Sequence, residues 1–137
     1  FRGWSVPGDA KTHYEAGVKA AMQMLGTIYP KTTPITDAQV ADYLAAKPYD
    51  ASKGWEMISE QYWAATLLNE YESYNNWRRT GYPTLTPINY DGNVTGGTIP
   101  RRLIYPVSEQ ATNGENYGAA VARQGADNFT TRIWWDK

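Results

Sequence analysis

Apolar residues recur at helical spacing through the first eighty positions and lose that spacing after Gly81. From Asp9 onward, Tyr14, Val18, Ala21 or Met22, and Leu25 fall on one side of the chain. They predict a helix over about 10–25, capped by Asp9 and closed by Gly26 at the C′ position. Ala10, Ala16, Gly17, Ala20 and Ala21 give this helix small side chains, which allow a second helix to pack close. Thr36-Asp-Ala-Gln39 is a capping box, and Val40, Tyr43 and Leu44 follow it on one side until Lys47-Pro48 stops the helix.

The longest helical stripe runs over about 54–68, with Trp55, Ile58, Tyr62, Ala65, and Leu68 or Thr66. Asn69 followed by Glu72 at N3 is a second capping pattern. It predicts that one helix ends near Asn69 and another begins there, carrying Tyr71, Tyr74, Trp77 and Arg78 to Thr80-Gly81. An unbroken helix over 54–79 is the competing reading. Beyond Gly81, Pro83, Pro87, Pro100 and Pro106 bias their neighbours to extended geometry, and NYDGNVTGG (89–97) is rich in turn formers. This half reads as long ordered loops, with one short helix over 116–124 and a terminal strand over 131–135.

One hexapeptide frame occurs twice, as RRTGYP at 78–83 and RRLIYP at 101–106. An internal repeat would extend similarity across its whole unit, yet residues 84–100 and 107–123 share almost nothing. A basic surface for phosphates or single strands is a second reading of Arg78, Arg79, Arg101 and Arg102. Glu70 and Glu72 precede the first doublet and Glu109 follows the second, which favours ion pairing. Arginine in the last turn of a helix also suits the free carbonyls and the macrodipole there. The doublets and Glu109 are therefore expected to pin the C-terminal loops to the helix that ends at Thr80.

Composition narrows the classes. The chain has 137 residues, 42% hydrophobic and 20% charged, which suits one globular domain. A net charge of −1 draws the molecule as a whole to neither nucleic acid nor anionic lipid. There is no cysteine for disulfides, thiolate zinc sites or thiol nucleophiles. Tryptophan and tyrosine are abundant, 6 and 11 against 2 phenylalanines, and pair an apolar face with a polar handle. Trp55 and Trp77 sit at core spacing. Tyr90, in the polar loop, is the better exposed candidate for stacking on a sugar, and Trp4 is the second.

Catalytic constellations are weak. His13 is the single histidine and lies on a helix without an oriented partner. Glu56 and Glu60 stand i,i+4 on one face, as a solvated stripe does, rather than across a cleft as a glycosidase pair does. Asp91-Gly-Asn93 and Asp127-Asn128 offer oxygens, but EF-hand spacing is absent and no metal or other cofactor is implied. Asn93-Val-Thr95 matches a glycosylation sequon, a short pattern that also arises by chance.

WRRTGYPTLTP, then a Gly/Asn-rich loop, IPRRLIYPVSEQATNGENY and a final WWDK together resemble the C-terminal end of the SusD/RagB family. FRGWSVPGDAKTHYEAGVKAAM and ISEQYWAATL also resemble the segments that precede that tail. The resemblance marks Arg78, Arg79, Arg101, Arg102, Glu109, Asn113, Asn116, Tyr117, Trp134, Trp135 and Asp136 as signature positions, not as ligand contacts. It implies a mainly α fold, with tetratricopeptide-like helices followed by a long irregular, loop-rich region with little β. Family members are several times longer and carry a lipidated cysteine and a helical array in their N-terminal part. The chain is accordingly expected to be a C-terminal piece of a Bacteroidetes outer-membrane lipoprotein, helical to about residue 80 and loop-rich over about 81–137. The implied role is non-catalytic. Such proteins capture glycans, sometimes peptides, at the outer cell surface for polysaccharide utilisation and pass them to a SusC-type TonB-dependent transporter. They touch the membrane only through the lipid anchor. A helical module that docks on the transporter without touching glycan is the alternative, and a fragment of a carbohydrate-active enzyme is a third class.

Overall fold

A computed structural model describes residues 4–136. It forms two compact units, Phe1–Trp77 and Arg78–Lys137, whose boundary falls inside one helix. The residues FRG and the final Lys137 of the family motifs lie outside the described residues. Among the described residues there are six α-helices: α1 Ala10–Ile28, α2 Asp37–Ala46, α3 Gly54–Ala65, α4 Glu70–Thr80, α5 Val107–Thr112 and α6 Gly114–Gln124. A single 3-10 turn, Ala51–Lys53, leads into α3, and there is no strand among the described residues. The fold is mainly α with an irregular second half.

Local chemistry sets the ends of the first helices. Asp9 Oδ1 accepts from Thr12 N at 2.9 Å, and this bond, with that from the Thr12 hydroxyl, holds the Asp9 carboxyl below its ordinary range. Gly26 does not stop α1. The helix runs on to Ile28, and Tyr29 N closes it on Leu25 O at 2.8 Å. The predicted capping box of α2 is complete, with Gln39 N bonded to Thr36 Oγ1 and Thr36 N to Gln39 Oε1. Asn69 separates α3 from α4, its Oδ1 accepting from Glu72 N at 3.2 Å. Two helices, not one, therefore fill 54–80.

The first unit packs around Tyr14, Val18, Val40 and Trp77, the hydrophobic residues that are buried. Tyr14 and Tyr49 meet at 5.2 Å between ring centroids, and burial pushes the Tyr14 phenol up. Polar groups lock the helices to one another. Asn76 Nδ2 donates to Ser59 O at 2.9 Å, both residues being buried, and Gln61 Nε2 donates to Tyr43 Oη at 2.7 Å. Thr66 and Ser73 share a hydroxyl contact at 2.9 Å across the elbow between α3 and α4.

The second unit departs further from sequence expectation. α5 was not predicted, and α6 begins at Gly114 rather than 116. Asn113 both closes α5, through its N–H on Glu109 O, and opens α6, by accepting Tyr117 N–H. The predicted strand over 131–135 does not form. No neighbouring strand offers a ladder, and the segment curls into a turn with Asp136 N on Ile133 O at 3.0 Å. Asn128 Oδ1 shapes its approach by accepting from Thr130 N and Thr131 N at 2.9 and 2.8 Å.

Candidate functional site

Two arginine–aspartate centres organise the second unit. Arg102 Nη2 meets Asp127 Oδ1 at 3.2 Å, with side chains 10% and 5% exposed. Asp127 also accepts Tyr105 N–H on both oxygens, at 3.2 and 3.3 Å, and the Tyr117 hydroxyl at 3.2 Å. Arg102 lies 5.2 Å from the centre of the Tyr105 ring, and Tyr105 meets Tyr117 edge-on at 5.8 Å. Asp136, with no side-chain exposure, accepts from Arg101 at 2.9 Å and from Arg132 at 3.4 Å on one oxygen. Arg78, in the last turn of α4, donates to Arg101 O at 2.6 Å and covers the Trp135 ring at 4.5 Å.

Arg101 and Arg102 thus bind loops through other carboxylates, and Arg78 through a backbone carbonyl. Glu109 accepts from Asn113 Nδ2 at 2.9 Å within α5 and its cap, and is not the partner of Arg101 or Arg102. Nearness in sequence pointed to Glu109, whereas the partners that form are Asp127 and Asp136, held close by the fold of the tail. Arg79 faces solvent, so only one residue of the first doublet joins the network. Trp134 is 95% exposed while its neighbour Trp135 is half-buried under Arg78. The Asp127 oxygens that a calcium reading would need are spent on Arg102, Tyr105 and Tyr117.

A different geometry surrounds Tyr90. Tyr90 O accepts Asn93 N–H at 3.0 Å, so a tight turn with Gly92 at φ +83° places both residues on one pocket of about 330 Å³. Tyr90 is 68% exposed, and Ile88, Val94 and Phe129 give the pocket apolar lining. Asn93 Oδ1 accepts from Thr95 N at 2.9 Å and Thr95 Oγ1 at 2.6 Å, which fixes its side chain. Gly97, at φ +83°, closes the base of the loop against Asn89, where an added Cβ would stand 2.9 Å from the Asn89 Cβ. Gly97→Ala is expected to destabilise the loop by about 1–2 kcal/mol from the backbone alone. Faster proteolysis within 89–97 would report it, and an unchanged cleavage rate would contradict the closed base. Sequence reasoning singled out Tyr90 from its polar surroundings but saw in Asn93 turn chemistry, a sequon and an oxygen for a metal, not an amide donor.

Trp4, the other stacking candidate, belongs to the first unit and is exposed there. In that unit the small face of α1 does not close tightly on α3. It leaves an apolar trough of about 530 Å³ lined by Val6, His13, Gly17, Ile58, Tyr62 and Ala65. His13 Nε2 donates to Pro7 O at 2.6 Å across Gly8, tying the segment before α1 to the helix. The single histidine is engaged in a local structural bond.

The family model SusD-like_2, described as "Starch-binding associating with outer membrane", matches residues 1–106. The chain belongs to this SusD-like family. A structure described as a chitin-binding protein is 43% identical to the SusD-like chain, with a TM-score of 0.87 over 98% of this chain and 30% of the other. A Bacteroidetes AC2a SusD-like structure is 34% identical, with a TM-score of 0.85 over 96% of this chain and 26% of the other. A chitin-binding SusD homolog from Flavobacterium johnsoniae is 29% identical, with a TM-score of 0.78 over 99% of this chain and 33% of the other. No curated protein matches. The SusD-like chain therefore spans about a third or less of the solved structures it resembles. Its family match takes in both RRxxYP frames, whose tail carries the Arg102–Asp127 and Arg101–Asp136 centres.

Proposed function

We propose that the chain is part of a non-catalytic glycan-binding protein at the outer cell surface that hands oligosaccharides to a SusC-type TonB-dependent transporter. The observation that carries this reading is the 43% identity over 98% of the chain to a chitin-binding protein. The geometry supports it. Tyr90 presents an open ring beside a pocket of suitable size, and aromatic faces stack on the C–H faces of sugars. The buried carboxylates Asp127 and Asp136 are engaged by arginines, as structural groups are. Among the described residues no helix is long and apolar enough to cross a membrane, and attachment through a lipid anchor elsewhere in the protein is part of this proposal.

Titration of the complete gene product with chitin and starch oligosaccharides tests the reading. Saturable binding without release of shorter sugars is the expected result. Hydrolysis of the ligand, or no binding to any glycan, would overturn it. Exposed Leu103 and Val107, 85% and 79% accessible, favour the second reading of a protein-docking module. Co-purification with the transporter in the absence of any glycan affinity would select that alternative.

A further inference from the structure

We infer that the pocket beside Tyr90 is a subsite for the acetamido group of an N-acetylhexosamine residue. The inference rests on the glycan-binding reading above and narrows it. Few polar side-chain groups of the pocket remain for a ligand. Thr95 Oγ1 has one proton, shared between Asn93 Oδ1 at 2.6 Å and Thr98 O at 2.5 Å, and Thr98 Oγ1 donates to Thr95 O at 2.8 Å, so both hydroxyl protons are spent inside the loop. Asn93 Oδ1 is spent on Thr95. The Asn93 Nδ2 amide makes no hydrogen bond among the described residues, and the Thr95 N–H bond at Oδ1 sets its orientation. Among its side chains the pocket therefore offers the oriented Asn93 amide donors and the Tyr90 hydroxyl, beside the apolar surfaces of Ile88, Val94 and Phe129.

An unsubstituted hexose matches this poorly. Its one apolar face would cover Tyr90, and its hydroxyls would then be held against aliphatic walls without partners, at a cost. An acetamido group carries a methyl next to a carbonyl acceptor. The carbonyl accepts from Asn93 Nδ2, the methyl lies on Ile88 and Val94, and the pyranose ring stacks on Tyr90. The pocket, about 330 Å³, falls at the small end of ligand sites, which suits one substituted sugar rather than a chain.

The test is calorimetric titration of the complete gene product with chitohexaose, its fully deacetylated counterpart, and maltohexaose. Chitohexaose is expected to bind about tenfold more tightly than either, the value of one oriented hydrogen bond plus a buried methyl. Asn93→Asp keeps the acceptor that holds Thr95 and replaces the donor with an oxygen. It is expected to cost chitohexaose binding about tenfold and leave maltohexaose unchanged. Val94→Asp, at a position 79% exposed and so no threat to folding, should weaken chitohexaose selectively as well. Equal affinity for the acetylated and deacetylated hexamers, or wild-type chitohexaose binding by both variants, overturns the acetamido subsite and leaves glycan binding standing. Absence of binding to all three sugars overturns the acetamido subsite, and absence of binding to any glycan overturns both.

Discussion

Asp127→Ala is expected to lower the stability of the Arg78–Lys137 unit by about 3–5 kcal/mol, the range for removing one member of a buried ion pair. The size follows from what the carboxylate does. It balances Arg102, whose side chain is only 10% exposed, and accepts from Tyr105 N and the Tyr117 hydroxyl. Alanine leaves the guanidinium without its counter-charge and two donors without an acceptor. Asp127→Asn should be milder, because an amide oxygen can still accept from Tyr105 N while the charge is lost. Glu109→Ala serves as the control and is expected to change stability by less than about 0.5 kcal/mol, since its carboxylate meets only Asn113 near the surface. Urea unfolding followed by hydrogen exchange over residues 101–127 reads all three. Comparable losses for Asp127→Ala and Glu109→Ala would show that the arginines are not anchored as described.

The second large effect belongs to the first unit. Trp77→Ala is expected to cost about 3–5 kcal/mol, as removal of a buried tryptophan does. Trp77 is 8% exposed and lies 6.3 Å from the Tyr74 ring in a near-parallel stack. Trp134→Ala removes an equally large side chain that is 95% exposed, and it should stay within about 0.5 kcal/mol of wild type. Thermal unfolding of the two variants side by side separates burial from residue type. Similar melting temperatures would contradict the placement of Trp77 in the core.

These contrasts also show which features could be read from the sequence. The Thr36 capping box and the Asn69 break were legible because a cap is a contact between residues three apart. Trp77 was legible because its spacing from Tyr74 places both on one helical face. α5 was not, since its six residues bury nothing and leave no apolar periodicity. The segment over 131–135 has the β-branched and aromatic character of a strand, but a strand exists only with a partner, and none is adjacent. Gly26 looked like a stop signal, yet glycine ends a helix only where the chain turns out of it, and here α1 continues.

The candidate site divides in the same way. The arginine doublets stood out as a motif, but Arg102 and Asp127 are 25 positions apart and Arg101 and Asp136 are 35 apart. No local spacing rule reaches that far, so the nearer Glu109 was the natural and mistaken choice. Tyr90 was legible as an aromatic ring set in a polar, turn-forming segment. The orientation of the Asn93 amide depends on the Thr95 N–H bond at its Oδ1, which only the folded loop supplies.

The contact between Gly97 and Asn89 reaches beyond the stability of one loop. It closes residues 90–96 as a tip on a stem. On the acetamido subsite proposed above, rewriting those seven positions is expected to change the sugar preference and leave the stem glycine and the arginine–aspartate centres untouched.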